Sequence, residues 1–382
     1  MQIKNLDKAA KRILKAIKKR ENIVIFGDAD LDGVASAIIV KESINSLGGK
    51  ISEIYFPDRE KEGYGISFSA LKFLEKEAPA VFIALDCGIG NFKEVKMAKR
   101  MGFKMIIVDH HEILDCLPEA EIIVDPKQKS DKYNFKQFAT AGLAFKLAES
   151  LFKNKMPESL RKSLLELAAL ATISDMMPRT DDNAVIIADG LNSIKSSWRP
   201  GIQALLGNKE LISLDFMQKI YKINSLMNIR DIENRMPAAF RVLASSDRRN
   251  AEKLAERLFL KGIEKQKRVK TIMEEVEAKI MGKNADSIIF EGKSDWELAL
   301  IGVVASILTQ KYQKPIFLYK GNGEESQGGA RAPSGLNLVE AMKGYSKKLI
   351  TYGGHPQAAG FRIKDSELEG FKKHLTDYFK NQ

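Results

Sequence analysis

Three carboxylates lie within five residues in the stretch Gly27-Asp28-Ala29-Asp30-Leu31-Asp32-Gly33. Acids crowded into one turn repel one another, so a positive charge nearby is needed to offset the repulsion. A divalent metal ion is the simplest candidate. The alternative is an acidic turn that is only solvated by water. A metal site is therefore the first hypothesis for the chemistry of this chain.

The segments around this turn predict a strand before it and a helix after it. Residues 23–26 form a short, mostly β-branched apolar run, which is typical of a buried strand. An apolar run covers residues 34–40, continues into Lys41-Glu42-Ser43-Ile44 and stops at Gly48-Gly49, which predicts a helix with a glycine stop. The three acids are thus expected at a strand-to-helix turn.

Apolar runs of strand length recur after this turn, with helical stretches between most of them. The predicted strands cover residues 23–26, 51–56, 80–85, 104–108 and 121–124. Alternating strands and helices predict a parallel sheet that is covered on both faces. The expected class is therefore α/β.

Every predicted strand except the second is followed by an aspartate, either directly or after one glycine. The carboxyl ends of parallel strands share one edge of the sheet, where such folds bind their ligands. We therefore expect a shared metal site at this edge. The polar residues expected to converge there are Asp28, Asp30, Asp32, Asp86, Asp109, His110 and His111.

A further acid follows a helix that is apolar nearly all round. Residues 164–175 carry this pattern, which is typical of a buried helix, and they end in Ser174-Asp175. An unpaired buried carboxylate is costly, so Asp175 is expected to have a cationic partner. The alternative, an acid on the surface, is disfavoured there by the helix dipole. Asp175 is therefore predicted as another metal ligand.

Other residues near the strand ends have roles of different kinds. Successive residues that leave a strand point in different directions, so His110 and His111 are expected to do different jobs, one on the metal and one facing a phosphate. Asp109 is expected to orient its neighbours. Arg59 and Tyr64 follow the second strand, where positioning a substrate and belonging to an ordinary loop are both open interpretations.

Composition limits the classes of protein. The chain has 382 residues, a formal net charge of +11 and two cysteines. The charge favours a polyanionic partner such as nucleic acid. Two cysteines exclude a disulfide framework and favour the reducing cytoplasm. Neither a signal peptide nor a bilayer-spanning run is expected, because the longest apolar run covers only residues 298–308.

The second half of the chain predicts a long helix and a second domain. Residues 245–281 have helical spacing and dense charge, with Gly262 as an expected interruption, and the C-terminal domain is expected to begin near Asn284. Predicted strands there cover residues 287–290, 316–319 and 360–363. The glycine-rich stretches 328–335 and 352–356 are interpreted as loops that approach a phosphate, or else as ordinary turns.

The acidic turn, Asp86, Asp109-His110-His111, Asp175 and Gly353-Gly354-His355, in this order, resemble the DHH phosphoesterases with a DHHA1 domain. Within that superfamily the triple-acid turn resembles the RecJ branch of single-strand-specific exonucleases. The resemblance implies a parallel-sheet DHH domain at 1–244, a connecting helix at 245–283 and a smaller α/β DHHA1 domain at 284–382.

The resemblance also implies a site with two divalent ions, Mn²⁺ or Mg²⁺. The implied metal ligands are Asp28, Asp30, Asp32, Asp86, His110 and Asp175, with Asp86 bridging. The implied catalytic residues are Asp86, His110 and His111, with His111 on the phosphate side. The implied nucleic-acid contacts are Arg331, Ser334, Gly353, Gly354 and His355.

The implied activity is metal-dependent hydrolysis of single-stranded DNA or RNA from an end, with release of mononucleotides. Two alternatives are a phosphodiesterase of short oligonucleotides or signalling dinucleotides, and a scaffold that associates with a helicase. The first predicts activity that collapses on longer strands, and the second predicts lost ligands, although every ligand position is filled here.

Three features depart from the bacterial RecJ pattern. Phe26 stands where a histidine is common, the arginine-bearing segment 228–236 is degenerate, and no oligonucleotide-binding domain is expected after the DHHA1 domain. The short form resembles archaeal RecJ homologues, some of which associate with replicative or repair helicases. Helicase-complex proteins are therefore expected partners.

Overall fold

The computed structural model describes residues 2–113, 116–153, 155–281 and 287–380. It divides into two compact units, Met1–Gly262 and Ile263–Gln382. The expected domain start near Asn284 lies outside the described residues. No helix in the described part of the chain is long and apolar enough to cross a lipid bilayer.

The first unit is built on five parallel strands. They are β1 (Asn22–Gly27), β2 (Glu53–Tyr55), β3 (Ala80–Leu85), β4 (Lys104–Val108) and β5 (Ile122–Val124). Their order in the sheet is β2-β1-β3-β4-β5, and every neighbouring pair is parallel. The predicted parallel sheet is confirmed. The strands β2 and β5 are shorter than the strands predicted at 51–56 and 121–124.

Helices cover both faces of this sheet. They are α1 (Leu6–Lys19), α2 (Leu31–Ser46), α3 (Arg59–Glu62), α4 (Phe68–Leu74), α5 (Phe92–Arg100), α6 (Thr140–Phe152), α7 (Glu158–Ser174), α8 (Asp181–Ile194), α9 (Pro200–Leu206), α10 (Phe216–Met227) and α11 (Ala238–Leu243). A two-stranded ladder, β6 (Ile232–Glu233) and β7 (Met236–Pro237), lies between α10 and α11.

Alternate residues of each strand enter different cores. In β1, Ile23 and Ile25 belong to the core that also contains residues of α1, α2, α6 and α7. Val24 and Phe26 belong to the core that contains residues of α4 and α5. Side chains of a strand alternate between its two faces, so a strand buried on both sides reads as one continuous apolar run.

The long helix α12 (Arg248–Ile280) is continuous, and the interruption expected at Gly262 was wrong. A Cβ on Gly262 would lie 2.3 Å from Leu226 Cδ2. The glycine therefore allows α12 to pack closely against α10 without breaking the helix.

The second unit contains a mixed five-stranded sheet. Its strands are β8 (Ile289–Gly292), β9 (Ile316–Gly321), β10 (Glu325–Arg331), β11 (Leu349–His355) and β12 (Ala358–Lys364), and its other helices are α13 (Leu298–Tyr312), α14 (Leu338–Lys343) and α15 (Leu368–Lys380). The strand order is β11-β12-β10-β9-β8, with only the β8–β9 pair parallel. The predicted α/β class holds for both units.

The loop interpretation of the glycine-rich stretches was largely wrong, because β10 and β11 take up much of both. Gly329, Gly360 and Gly353 lie opposite one another across β10, β12 and β11. A Cβ on Gly328 would lie 2.4 Å from the ring of Phe361. These strands need glycine where backbone and aromatic rings approach closely, so they lack the β-branched signal by which strands are predicted.

Candidate metal centre

The acidic turn after β1 is tied to its neighbours by backbone hydrogen bonds. The N–H of Asp28 donates to Leu85 O at 3.2 Å, which joins the turn to the end of β3. Asp30 caps α2, and its Oδ1 accepts the N–H groups of Asp32 and Gly33 at 3.1 and 3.2 Å. A Cβ on Gly33 would lie 2.4 Å from Asp28 O, so only glycine lets the helix begin this close to Asp28.

Asp86 follows β3 in a left-handed backbone conformation, with φ of 63°. Its N–H donates to Val108 O at 3.1 Å, which joins it to the end of β4. The side chain is almost fully buried. Non-glycine residues in this conformation store local strain, and such strain is concentrated at functional sites.

Asp109 orients the two histidines that follow β4. Its Oδ1 accepts the N–H groups of His110 and His111 at 2.8 and 3.2 Å, and it lies 2.7 Å from Nδ1 of the His111 ring. Its Oδ2 accepts the N–H of Ile89 at 3.2 Å. Both oxygens of the Asp109 carboxylate therefore accept hydrogen bonds from residues at this edge of the sheet. Such contacts suit the predicted role of Asp109, which is to orient its neighbours.

His110 is the point at which separate elements meet. Its Nε2 lies 3.4 Å from Asp86 Oδ1, 3.5 Å from Asp175 Oδ2 and 3.9 Å from Asp32 Oδ2. Asp175 Oδ2 is buried and has no hydrogen-bond partner among the described residues. The structure therefore brings together the predicted ligands from β3, β4, α2 and the end of α7.

The beginning of α6 holds two of these carboxylates in place, a role that sequence reasoning missed. The N–H groups of Thr140 and Ala141 donate to Asp32 Oδ2 and Oδ1 at 2.7 and 2.8 Å. The hydroxyl of Thr140 donates to Asp86 Oδ1 at 3.0 Å. The one signal in the sequence is a threonine directly before an apolar run; helices often begin at such a residue, and the first backbone N–H groups of a helix lack partners within it.

Arg59 and Tyr64 also belong to the site, although their sequence positions are equally consistent with an ordinary loop. Arg59 Nε donates to Asp28 Oδ1 at 2.8 Å, and its Nη2 donates to Asp30 Oδ2 at 2.9 Å and contacts Asp28 Oδ2. The Tyr64 hydroxyl donates to Asp86 O at 2.9 Å and lies 3.2 Å from the His111 ring nitrogens. The Arg59 guanidinium lies 5.5 Å above the Tyr64 ring. Both residues therefore contact the acidic turn and the strand ends directly.

Burial and mutual repulsion disturb the ionisation of the cluster. Burial, followed by the charges of Asp32 and Asp30, holds the pKa of Asp86 well above its ordinary value. Burial and neighbouring carboxylates raise the pKa of Asp32 to about 8 and that of Asp175 to about 6. Burial lowers the pKa of His110 to about 4, so its imidazole is neutral at pH 7, as a metal ligand must be.

The donor set fits divalent metal ions. Three groups each offer ligand atoms that lie within 4.8 Å of one another: Asp28, Asp30 and Asp86; Asp32, His110 and Asp175; and Asp86, His110 and His111. Asp86 belongs to two of them. Oxygen ligands with one or two imidazoles suit Mn²⁺ and, less closely, Mg²⁺. The arrangement can therefore hold two adjacent ions that share Asp86.

A cavity of about 440 Å³ opens beside this cluster. Its lining includes Asp30, Asp32 and Asp175 together with Arg59 and Arg230, so carboxylates and guanidinium groups share its wall. Cavities of this size accommodate small organic ligands. An anionic ligand that carries a phosphate would meet arginines as it approached the acids.

The predicted nucleic-acid contacts lie in the second unit. Arg331, at the end of β10, and His355, at the end of β11, both pair with Ala358 of β12, so they occupy one row of the sheet. Arg331 is half-buried, with Nε donating to Ser306 Oγ at 3.1 Å. Ser334 is exposed in the loop after β10. Gly353 and Gly354 precede His355 on the edge strand β11.

The models of two domain families match this chain. The model of the DHH family, N-terminal domain, matches residues 22–172. The model of the DHHA1 domain matches residues 284–381. The two matches correspond to the parallel sheet with its acidic turn and to the mixed sheet of the second unit.

A curated relative and two solved structures are similar over the whole chain. The single-stranded-DNA-specific exonuclease RecJ of Bacillus subtilis is 32% identical over 392 residues, which cover 100% of this chain and 48% of that protein. The crystal structure of exonuclease RecJ bound to manganese has a TM-score of 0.83 at 24% identity and covers 100% of this chain and 96% of that chain. RecJ in complex with Mn²⁺ from Thermus thermophilus has a TM-score of 0.82 at 23% identity, with 100% and 55% covered. The two structures show a shared fold, and the chain spans about half the length of the B. subtilis relative.

Proposed function

We propose, from the premise that this chain is a RecJ-like member of the DHH superfamily, that it is a metal-dependent exonuclease of single-stranded DNA. The observation that carries the proposal is that Asp86 and Asp175 each place a carboxylate oxygen within 3.5 Å of His110 Nε2. A likeness in fold alone would not require the three side chains to meet. RecJ of B. subtilis, named as specific for single-stranded DNA, supports the choice of substrate.

In this proposal two Mn²⁺ or Mg²⁺ ions bind between the strand ends. Asp28, Asp30 and Asp86 hold one ion, His110 and Asp175 hold the other, and Asp86 is shared. We also propose Asp32 as a ligand of the second ion, together with His110 and Asp175. Both oxygens of Asp32 already accept N–H groups from the beginning of α6. Bound ions would activate a water molecule and stabilise negative charge on a phosphodiester.

The residues of the chain itself orient the substrate and hold a proton. Burial alone would lower the pKa of His111, but the hydrogen bond and charge of Asp109 raise it above the ordinary value. The half-exposed His111 imidazole therefore takes up a proton more readily than an ordinary histidine, and in its protonated form it can donate to a phosphate oxygen. Tyr64 is in contact with His111 and keeps its ring in place.

The second unit supplies the proposed contacts to the DNA strand. Arg331, Ser334, Gly353, Gly354 and His355 are the proposed residues, and the net charge of +11 favours the same partner. Glycines at the surface of β11 and β12 let a phosphate backbone approach without meeting side chains.

The wider assignment belongs to the same proposal. We keep the division into a DHH domain at 1–244, a connecting helix at 245–283 and a DHHA1 domain at 284–382. RNA as a second substrate, helicase-complex proteins as partners and a cytoplasmic location are further parts of it. Free Cys87 and Cys116 support the reducing compartment.

A length series of single strands tests the proposal against its rival. Strands of two to forty nucleotides, labelled at one end, would be incubated with the protein in Mn²⁺ or in EDTA. The proposal expects stepwise shortening to mononucleotides in Mn²⁺ alone, with long strands degraded readily and with strong inhibition by salt. Cleavage confined to the shortest strands would favour the phosphodiesterase, and no cleavage at any length would contradict both.

A further inference from the structure

Two asparagines one helical turn apart connect α10 to α7. The side-chain amide of Asn224 donates to Leu170 O at 3.0 Å. The side-chain amide of Asn228, which follows the last residue of α10, donates to Ser174 Oγ at 2.7 Å. Both asparagines therefore contact the same helix, but only Asn228 reaches its end, where Asp175 follows.

Asn228 makes a second contact that Asn224 does not make. Its Oδ1 accepts the N–H of Leu31, the first residue of α2, at 3.0 Å. Leu31 lies between Asp30 and Asp32 in the acidic turn. One amide thus joins the turn that carries the acids to the helix end that carries Asp175.

Both hydrogen-bond partners of the Asn228 amide are distant from it in the sequence. Asn228 is separated from Leu31 by 197 residues and from Ser174 by 54. It belongs to the segment 228–236, which is degenerate relative to the bacterial RecJ pattern. The N–H of Leu31 is among the first of α2, which have no partner within the helix. Asn228 satisfies this donor and fixes its position relative to Ser174.

We propose that Asn228 is a positioning residue, which sets the separation of the acidic turn and Asp175 and so the affinity of the site for its metal ions. The inference rests on the proposed function, since it assumes that both segments supply ligands. Residues that orient metal ligands commonly change metal affinity about 10- to 100-fold when they are replaced.

The test is a titration of the metal-free protein with Mn²⁺, without DNA, in which free Mn²⁺ is followed by its electron paramagnetic resonance signal. Asn228→Ala is expected to weaken Mn²⁺ binding about tenfold. Its melting temperature should change little, because Asn228 is exposed. Asn224→Ala is the matched control. It removes a buried amide from the same pair of helices, so it should lower the melting temperature and leave Mn²⁺ affinity unchanged.

Variants at the other end of the bridge provide a second line of evidence. Ser174→Ala should weaken Mn²⁺ binding, whereas Ser174→Thr, which keeps the hydroxyl, should retain it. The double variant Asn228→Ala/Ser174→Ala should bind Mn²⁺ no more weakly than Asn228→Ala alone, because the hydrogen bond that Ser174→Ala removes is already absent in Asn228→Ala.

Two results would overturn the inference while the proposed function stands. One is unchanged Mn²⁺ affinity in both Asn228→Ala and Ser174→Ala. The other is an equal loss of affinity in Asn224→Ala, which would assign the effect to general packing of α10 on α7. If the unaltered protein bound no Mn²⁺, the proposed function would fail, and the inference would fail with it.

Discussion

Arg59 donates from Nε to Oδ1 of the fully buried Asp28 at 2.8 Å. The same guanidinium reaches Asp30 Oδ2 at 2.9 Å, so one arginine supplies positive charge to two of the proposed metal ligands. The contact shows how the acidic turn is stabilised by the chain itself. A metal ion bound to the same carboxylates would take over part of that task.

We therefore expect Arg59→Ala to lower the melting temperature more in EDTA than in saturating Mn²⁺. In EDTA the buried Asp28 loses its cationic partner, a loss on the order of 1–3 kcal/mol, whereas bound Mn²⁺ supplies the charge instead. Arg230→Ala is the control, since Arg230 is 58% exposed and lies 3.7 Å from the similarly exposed Glu60. The same loss of melting temperature in both conditions would count against this role of Arg59.

Asp86→Asn should remove activity without unfolding the protein. The amide can still accept the Thr140 hydroxyl, and it is uncharged, the form that burial and the neighbouring acids already favour for Asp86, so the melting temperature in EDTA should not fall. Metal-dependent hydrolysis should fall by a factor on the order of 10³. A variant that melts normally and still degrades single strands in Mn²⁺ would refute the proposed role of Asp86.

Gly33→Ala should distort the acidic turn. The added Cβ would lie 2.4 Å from Asp28 O and 2.6 Å from Asp28 N, and backbone atoms cannot move aside easily. We expect a destabilisation of about 1–3 kcal/mol, measured by denaturant unfolding, with weaker Mn²⁺ binding. Gly90→Ala is the control, because no atom lies within 4 Å of its added Cβ. Equal stability of the two variants would mean that the turn can relax.

Arg199 holds several helices together away from the metal centre. It is buried and donates to both oxygens of Glu42 at 2.8 Å and to Ser163 Oγ at 2.6 Å. Arg199→Met leaves that carboxylate without its partner, so it should cost about 2–4 kcal/mol, less than for a fully buried pair because Glu42 reaches solvent. Arg248→Met, which removes an exposed pair with Glu252, should cost under about 0.5 kcal/mol in the same unfolding measurement.

The buried Asp125 predicts a pH dependence of stability. Burial raises the pKa of Asp125 from 3.8 to about 7, so the folded chain binds its proton more tightly than the unfolded chain does. This contribution to stability is present at pH 4 and is lost as the pH rises to 7. The melting temperature of Asp125→Asn should therefore exceed that of the unaltered protein by a margin that grows from pH 4 to pH 7. A margin that does not change with pH would contradict the raised pKa.

Much of the metal centre could be predicted from local pattern alone. The runs that became β1, β3 and β4 are almost entirely apolar because both faces of the strands are buried, and an aspartate follows each run directly or after one glycine. Parallel topology then brings Asp28, Asp86 and His110 to one edge, whatever the length of chain between them. Asp175 was predictable for a different reason, since it ends a helix that is apolar nearly all round.

The remaining contacts depend on pairs that are distant in sequence. Asn228 lies 197 residues from Leu31, and Thr140 lies 54 residues from Asp86, so no spacing along the chain indicates either contact. The strands β10 and β11 were missed because their glycines accommodate neighbouring backbone and rings, and so lack the usual side-chain signal. Sequence patterns thus predicted the proposed ligands and the orienting role of Asp109, but not the contacts of Thr140 and Asn228.

Anomalous diffraction from crystals grown with Mn²⁺ would show whether metal ions bind among these side chains. We predict two peaks about 3.5–4 Å apart, one beside Asp28 and Asp86 and the other beside His110 and Asp175. Crystals saturated with Mn²⁺ that showed no peak among these side chains, or peaks only elsewhere on the molecule, would contradict this prediction.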